Sequence, residues 1–186
     1  MAKHYNININ LEEIMNGKID KKLEGINKAI DEGLKKGLRK CEIRIKSKLK
    51  DRMIAHDLGT SRLSETMYSR RTTNGVFIGM ASKYFMYVEY GTGVIGRGSP
   101  HPDLSRVGWR YDVNEHGETG WWYPSGIDDP NPTKYRGENG WWAWTRGQRS
   151  RPFMYETWKW AMEKTPQIIS DEIGKEVEKL ERKMRW

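Results

Sequence analysis

The spacing of apolar residues predicts one long helix in the first third of the chain. From about residue 20 to residue 56, apolar positions recur every three or four residues, which places them along one face of a helix. These positions are Leu23, Ile26, Ile30, Leu34, Leu38, Cys41, Ile45, Leu49 and Met53. Because glycine is unfavourable inside a helix, Gly25, Gly33 and Gly37 predict a bend or the close approach of another helix. Gly59 then offers a helix stop.

A different pattern, an alternation with a period of two, precedes this helix. Tyr5, Ile7 and Ile9 alternate with asparagines, which is typical of a half-buried strand. We expect residues 1–19 to form an N-terminal strand or arm.

Two further strand-like runs follow the helix. Residues 65–72 and 76–80 flank the sequence Thr73-Asn74-Gly75. Because Asn-Gly readily adopts the positive φ angles of a tight turn, the two runs predict a β-hairpin. Residues 81–90 are rich in aromatic side chains and predict a short helix or turn. Residues 64–93 would thus form a hairpin and an aromatic segment.

Residues 94–150 combine many glycines and prolines with most of the tryptophans. The segments Gly120-Trp121-Trp122-Tyr123 and Gly140-Trp141-Trp142-Ala143-Trp144 predict two short strands entered from glycine turns, with a turn-rich connection between them. A disordered linker would not be so rich in tryptophan. We interpret residues 94–150 as an inserted, ordered β-excursion.

The C-terminal part, residues 151–186, predicts two helices. Residues 153–162 have a helical pattern, and Thr165-Pro166 offers an N-cap followed by proline at the first helical position. The inner face of the second helix consists of Ile169, Ile173, Val177, Leu180 and Met184. The elements predict an α+β fold for a single domain over residues 1–186. In it a small antiparallel sheet packs against the long N-terminal helix and the C-terminal helices.

Length and composition limit the class of protein. A chain of 186 residues suits one domain with a substantial core. The single cysteine, Cys41, cannot form an intramolecular disulfide. The histidines lack the spacing of a zinc site, and they are His4, His56, His101 and His116. No segment is apolar enough to span a bilayer or to act as a signal peptide, so we expect a cytoplasmic product. We also expect no bound metal and no cofactor.

The net charge of +8 lies mainly in the N-terminal half of the chain. Basic residues are densest between Lys35 and Arg52. A basic surface of this kind could face DNA without sequence preference. The candidate DNA-facing residues are Lys36, Lys40, Arg44 and Lys50. The alternative, which we favour, is an ordinary solvated helix face.

Glu89 is a candidate for acid–base chemistry, because it lies between aromatic residues and before a glycine turn. Such surroundings can raise the pKa of a carboxyl group. No second acid stands at a spacing typical of catalysis, so we interpret Glu89 as structural or as part of an interface. We expect it to accept hydrogen bonds from the backbone amides of Gly91-Thr92-Gly93 or to pair with an arginine of a neighbouring copy.

The tryptophans of the excursion allow three interpretations. Buried rings would form a small core, rings between subunits would anchor an interface, and exposed rings would stack on sugars or unpaired bases. We favour the first two, which can both hold for different rings. The candidate residues are Trp121, Trp122, Trp141, Trp142 and Trp144.

Two short motifs flank the excursion, and they are Tyr87-Val88-Glu89-Tyr90-Gly91-Thr92-Gly93 and Arg151-Pro152-Phe153-Met154. They resemble motifs of the tail-component, or neck, family of long-tailed bacteriophages and prophages. In that family an aromatic-Val-Glu-aromatic-Gly-Thr segment precedes an Arg-Pro-Phe segment. The segment Leu58-Gly59-Thr60-Ser61-Arg62-Leu63-Ser64 resembles the turn with which these proteins enter their first hairpin strand. The resemblance covers residues 20–162, and its motif residues are Tyr87, Glu89, Tyr90, Gly91, Thr92, Gly93, Arg151, Pro152 and Phe153.

This resemblance implies a structural virion protein and not an enzyme. The family acts in tail completion or head-to-tail joining, and its copies form a ring around the DNA passage, for which a hexamer is one expectation. The implied partners are other copies and the head-completion, tail-terminator or tail-tube proteins. Contact with DNA in the lumen would be nonspecific. The implied location is the virion, and the host cytoplasm during assembly.

Two other classes of function stay open. A nucleic-acid-binding module would use the basic helix and the tryptophans, and its affinity would fall steeply with salt. A carbohydrate-binding or lytic tail protein would stack saccharides on the tryptophans, although no paired carboxylates support the lytic form.

Overall fold

The structure is a computed structural model that describes residues 18–59, 62–82, 84–105, 107–112, 115 and 119–184. The predicted N-terminal strand or arm lies outside the described residues, apart from its last two positions. Long helices at both ends of the described chain are combined with small antiparallel sheets. The predicted α+β fold is therefore confirmed.

Helix α1 covers Lys18–Ala55 and corresponds to the predicted long helix. Its apolar face buries residues that the sequence places there, among them Cys41, Leu49 and Met53. The helix ends before Gly59, because Asp57 adopts a left-handed φ of 59° and the N–H of Leu58 donates to the carbonyl of Met53 at 2.8 Å. A left-handed residue followed by a buried apolar side chain is a common helix stop, and Leu58 is buried.

The C-terminal part is one continuous helix, α5, covering Phe153–Met184, so the prediction of two helices was wrong. Pro166 lies inside α5, where proline removes a backbone hydrogen bond and usually kinks or breaks a helix. Thr165, predicted to cap the second helix, lies inside α5, and its side chain acts to lower the pKa of the Cys41 thiol, which burial raises. Ile168 and Val177 are buried beyond the proline. This tertiary packing overrides the local preference of the sequence.

The chain divides into two compact units. The first contains the described residues up to Arg44, residues 70–77 and the residues from Ala161 onward. The second contains Ile45–Ser69 and Ile78–Trp160. Both long helices pass from one unit into the other, and each unit has its own buried contacts.

In the first unit, α1 and α5 approach closely at two glycines. A Cβ atom at Gly33 would lie 2.5 Å from the Cα of Ile173, and one at Gly37 would lie 3.0 Å from the Cα of Ile169. The distance at Gly33 is too short for any side chain and that at Gly37 is tighter than most contacts, so these glycines allow the two helices to approach closely. The prediction of a close helix approach at these positions is confirmed.

The core of the second unit forms where α1 ends and α5 begins. A short helix, α2 (Arg62–Glu65), and the hairpin strands β1 (Met67–Arg71) and β2 (Val76–Met80) follow α1. The core side chains are Leu49, Met53, Leu58, Leu63, Met80 and Phe153. Leu49, Met53 and Phe153 have no exposed surface at all. The predicted hairpin is confirmed, and its inner side chains belong to this core.

Two short helices lie between the hairpin and the sheet of the excursion. Helix α3 covers Phe85–Tyr90 and is the short helix that the aromatic segment predicts. Helix α4 covers Gly93–Gly98 and was not predicted, because glycine is a poor helix former. The turn between them places Glu89 and the glycines of the first motif at the base of the excursion.

The excursion contains a three-stranded antiparallel sheet with the strand order β3-β5-β4. Strands β3 (Trp121–Ser125) and β5 (Gly140–Thr145) are the two predicted tryptophan strands. Strand β4 (Lys134–Gly137) lies in the stretch that the sequence predicts as turns only. A two-residue strand, β6 (Gly147–Gln148), leads the chain back to the core.

Asp129 orders the connection between β3 and β4. Its carboxylate accepts hydrogen bonds from the Ser125 hydroxyl at 2.5 Å, the Tyr123 hydroxyl at 3.0 Å and the Asn131 backbone N–H at 2.8 Å. These bonds, above all that of Ser125, lower the pKa of Asp129. The connection is thus fixed by side-chain hydrogen bonds, and β4 can pair with β5.

Replacing Gly33 by alanine tests the close approach of α1 and α5. The new methyl group would collide with the Ile173 backbone, which cannot move like a side chain, so we expect Gly33→Ala to lower the free energy of unfolding by about 1–3 kcal/mol. Urea unfolding followed by circular dichroism measures this change.

Gly25→Ala is the matched control on the same helix. A Cβ at Gly25 would meet only the flexible side chain of Leu180, at 3.4 Å. Alanine should therefore stabilise the protein by up to about 1 kcal/mol through helix propensity. Equal effects of the two substitutions would contradict the close backbone contact at Gly33.

Candidate functional site around Glu89

Glu89 lies on α3 and is almost completely buried, with 2% of its surface exposed. Its carboxylate accepts hydrogen bonds from the backbone N–H groups of Met154 at 2.9 Å and Tyr155 at 2.8 Å. These amides belong to the first turn of α5, where N–H groups have no acceptor within the helix. The helix dipole also favours a negative charge at this end. Glu89 therefore caps α5 and joins the two motifs that flank the excursion.

His101 is the third partner of the Glu89 carboxylate. Its Nε2 atom lies 3.2 Å from Glu89 Oε1, and the residue is 5% exposed. Its Nδ1 atom lies 3.0 Å from the backbone nitrogen and 2.7 Å from the carbonyl oxygen of Asp103. A neutral ring that donates to Glu89 can accept from the Asp103 N–H, and a charged ring can donate to the Asp103 carbonyl. Both ring nitrogens thus have partners in either protonation state.

Aromatic rings enclose the Glu89–His101 pair. The ring centroid of Tyr90 lies 4.3 Å from that of His101 and 5.3 Å from that of Trp109, on which it stacks. The ring of Tyr155 meets His101 edge-on at 5.1 Å. The indole N–H of Trp109 donates to the carbonyl of Gly91 at 3.0 Å. The carboxylate is buried beside these rings, so its interactions are made in a low-dielectric environment.

Burial raises the pKa of Glu89, because the enclosed site solvates a charged carboxylate poorly. The backbone N–H groups of Met154 and Tyr155, and then His101, act in the opposite direction. The hydrogen bonds reduce the upward shift and hold the carboxylate in one position. The donors come from two separate parts of the chain, the first turn of α5 and the loop that carries His101.

The structure corrects the expected partners of Glu89. Within the chain, the sequence predicts hydrogen bonds from the amides of Gly91-Thr92-Gly93, whereas the donors lie on α5 and at His101. The predicted pairing with an arginine of another copy stays a prediction. Sequence reasoning missed His101 because it is one of several scattered histidines. Its position between Pro100 and Pro102, which restrict the backbone, was the available signal.

The excursion leaves and re-enters the core beside Glu89. Thr92 and Gly93 form antiparallel bridges with Gln148 and Gly147, and we call these four residues the stem. Gly93 and Gly147 have φ angles of 62° and 97°, which side-chain-bearing residues rarely adopt. A Cβ atom at Gly147 would also collide with the carbonyl of Thr92. The stem therefore requires glycine on both of its chains.

Further hydrogen bonds tie the second motif to α3. The hydroxyl of Ser150 donates to the carbonyl of Glu89 at 2.7 Å, and the N–H of Arg151 donates to the carbonyl of Val88 at 2.9 Å. Phe153 then enters the core with no exposed surface. The structure thus brings together the motif residues that the sequence separates by the whole excursion.

The remaining motif residues lie around the same point. The carbonyl of Pro152 accepts the N–H of Glu156 at 3.0 Å in the first turn of α5. The ring of Tyr87 contacts Trp109 at 5.8 Å between centroids. Both motifs thus contribute to one structural junction.

The tryptophans divide between the two faces of the excursion sheet. The strand pairing sets Trp122 opposite Trp144, and Trp142 opposite both Pro124 and Tyr135. Because directly paired residues share a face, these side chains lie together on what we call the aromatic face. The Trp122 ring contacts Tyr135 at 4.9 Å and Trp144 at 5.3 Å between centroids. Trp122 is 42% exposed and Tyr135 is 48% exposed, so the aromatic face is open to solvent.

Trp121 and Trp141 lie on the opposite face, together with Tyr123 and Ala143. Ala143 is fully buried, and the ammonium group of Lys134 lies 5.7 Å from the centre of the Trp141 ring. Among the five tryptophans predicted as candidates, Trp122 is exposed and the other four are half-buried. The interpretation as a closed tryptophan core is wrong for Trp122.

Two of the candidate DNA-facing residues form ion pairs with α5. The ammonium groups of Lys36 and Lys40 lie 2.9 Å and 2.8 Å from carboxylate oxygens of Glu176 and Glu172. The side chains of Lys36 and Lys40 remain 48% and 39% exposed, so these ion pairs lie on the solvated surface of α1. The other two, Arg44 and Lys50, are exposed.

Comparisons with family models, with curated proteins and with solved structures gave no match. Across the described ranges, no group of three or more His, Cys, Asp or Glu side chains could hold a metal ion. The helices of the described chain include none that is long and apolar enough to cross a membrane.

Substitution of Glu89 tests its role as the cap of α5. Glu89→Ala would leave two helix amides and His101 without a partner in a buried site, so we expect the free energy of unfolding to fall by about 3–5 kcal/mol. Glu89→Gln keeps one acceptor oxygen and should cost about 1–3 kcal/mol. Chemical denaturation gives both values. Glu163→Gln, at an exposed position of α5 where the carboxylate pairs with Lys164 at the surface, is the control and should have little effect. Unchanged stability of Glu89→Ala would contradict the structural role.

The ion pairs of α5 predict a dependence of stability on acid. Lys175 and then Lys40 lower the pKa of Glu172 to about 2, from an ordinary value of 4.5. The stabilisation from a depressed carboxyl pKa is complete above pH 4.5 and is lost as pH falls towards 2. We expect Glu172→Gln to be less stable than the wild type at neutral pH, by about 1 kcal/mol or less for a solvent-screened pair. This difference should shrink between about pH 4.5 and 2 in thermal unfolding, and a constant difference would contradict the prediction.

Proposed function

We propose that this chain is a structural subunit of the neck or tail of a long-tailed bacteriophage or prophage. In this proposal it acts in tail completion or head-to-tail joining, and its copies form a ring, expected as a hexamer, around the DNA passage. Its partners would be head-completion, tail-terminator or tail-tube proteins. The protein would be made in the host cytoplasm and then incorporated into the virion.

The observation that carries the proposal is the contact between the two motifs that resemble those of the phage family. Glu89 of the first motif accepts hydrogen bonds from the helix that the second motif begins. Because residues of the two motifs bind one another, we infer that both motifs serve the same structural junction. The carboxylate oxygens of Glu89 are all engaged by protein donors in a buried site, which favours a structural role over acid–base catalysis.

The excursion sheet supports a role in assembly. It is closed at its base by the stem and carries exposed aromatic side chains at Trp122 and Tyr135. Tryptophan and tyrosine are enriched at the centres of protein interfaces. An ordered sheet with an open aromatic face is suited to bind a neighbouring virion protein.

Nucleic-acid binding is the second candidate function, and the open aromatic face is the observation that favours it. Exposed rings can stack on unpaired bases, and Arg44 and Lys50 are exposed cations. The ion pairs of Lys36 and Lys40 weaken this alternative, because they reduce the free positive charge of α1. Affinity of the monomer for DNA that falls steeply with salt would support it over the structural proposal.

Deletion of the gene in a phage that encodes this protein tests the proposed function. We expect full heads and separate tails, or tails of abnormal end structure, in electron micrographs, together with a loss of infectious particles. A plasmid copy of the wild-type protein should restore joined virions, and a copy carrying Glu89→Ala should restore few, because the junction between the motifs is lost. Normal, infectious virions in the deletion strain would refute the proposal.

A further inference from the structure

A groove lies between α3 and the face of the excursion sheet that carries Trp121. Its volume is about 570 Å³, within the range of about 300–1,000 Å³ typical of binding sites. Aromatic rings from both sides form its walls, and none of its lining residues is charged. These residues are Tyr84, Tyr87, Val88, Thr92, Trp121, Tyr123, Thr145, Gly147 and Gln148. In a protein of net charge +8, this uncharged surface does not favour a charged ligand.

Several hydrogen-bonding groups of the groove are unused. Within the described part of the chain, the indole N–H of Trp121, the side-chain amide of Gln148 and the hydroxyls of Tyr84 and Tyr87 have no hydrogen-bond partner. Trp121 rests against the backbone of Gly93, since a Cβ there would lie 3.0 Å from the Trp121 ring. The ring is thus held in position. The groove therefore offers fixed aromatic surfaces and free polar groups, the combination that an uncharged extended peptide requires.

The chain itself contains a segment with matching chemistry. Residues 4–10 read His-Tyr-Asn-Ile-Asn-Ile-Asn, with no acidic residue, lysine or arginine. In an extended conformation Tyr5, Ile7 and Ile9 would project on one side at intervals of about 6.6 Å, and the asparagines on the other. Three apolar side chains so spaced suit a groove walled by aromatic rings. The carbonyl groups of an extended segment, which lack partners within it, suit the free donors of the groove.

We propose that the groove binds residues 4–10 of a neighbouring copy of this chain. The inference that the occupant comes from another copy rests on the proposed function, in which copies assemble side by side. Seventeen residues precede α1, and an extended chain of this length reaches on the order of 55–60 Å, which is enough to cross to an adjacent subunit. Each copy would then give one segment and receive one, which is the head-to-tail contact that closes into a ring.

A direct binding experiment tests the groove without phage particles. The probe is a fluorescein-labelled synthetic peptide of residues 1–17, titrated with the full-length protein carrying Ile7→Asp and Ile9→Asp so that its own segment does not compete. We expect a saturable rise in fluorescence anisotropy. Unlabelled peptide should displace the probe, and peptide carrying the two aspartates should not.

Neighbouring tryptophans provide the matched control. Trp121→Ala should weaken the binding at least tenfold, whereas Trp122→Ala, on the opposite face of the same strand, should leave it unchanged. Tyr84→Ala is a second groove variant at a position that is 72% exposed, where a folding defect is not expected, and it too should weaken binding. Circular dichroism should give the same spectrum for the three variants.

The results separate this inference from the proposed function. No saturable binding, or equal losses for Trp121→Ala and Trp122→Ala, would overturn the assignment of the groove. Failure of the wild-type protein to bind the probe, with size-exclusion chromatography showing monomers only, would point to a segment bound within its own chain and would overturn the assignment to a neighbouring copy. Neither result would change the outcome of the gene deletion, which reports on the role in the virion.

Discussion

The hydrogen bonds of Glu89 to the first turn of α5 are the interaction on which the second unit depends. Without an acceptor, these helix amides would be buried and unpaired beside fully enclosed core residues such as Phe153. Burying a carboxylate also costs free energy of desolvation, and for this reason the pKa of Glu89 is raised. The hydrogen bonds offset both costs, because the helix amides gain an acceptor and the carboxylate gains donors in place of water. The chain entering α5 is therefore fixed relative to α3, and the core closes around that arrangement.

The sequence predicts most of the elements, because their periodicity comes from the faces that they bury. Helix α1, the hairpin and the two tryptophan strands were all visible in this way. Helix α5 was divided wrongly at Pro166, where local propensity favours a break but burial of Ile168 and Val177 maintains one helix. Strand β4 was missed because the order of its neighbourhood depends on the side-chain bonds of Asp129, which have no periodic signature.

The candidate site was only partly predictable. The prediction that Glu89 is structural came from the absence of a second acid at a spacing typical of catalysis. Its hydrogen-bond partners could not be read from spacing, because they lie beyond the excursion or within it. His101 and the first turn of α5 meet Glu89 only after the chain has folded back. In the same way, the positive charge of Lys36 and Lys40 is visible in the sequence, whereas the carboxylates that neutralise it lie on α5. The charged and hydrogen-bonding residues could be identified from the sequence, but the partners that they contact could not.

The stem suggests that the excursion is a separable module that begins at residue 94. The contacts of Tyr111 and His101 place the boundary of such a module after Tyr111. The N–H of Gly93 donates to the carbonyl of Tyr111, and the hydroxyl of Tyr111 accepts the backbone N–H of His101. His101 in turn completes the environment of Glu89. His101 and Tyr111 thus help to complete the environment of Glu89 even though they follow the stem in sequence. An exchange of excursions between proteins of this architecture would have to begin after Tyr111, and a cut at the stem would remove part of the Glu89 environment with the excursion.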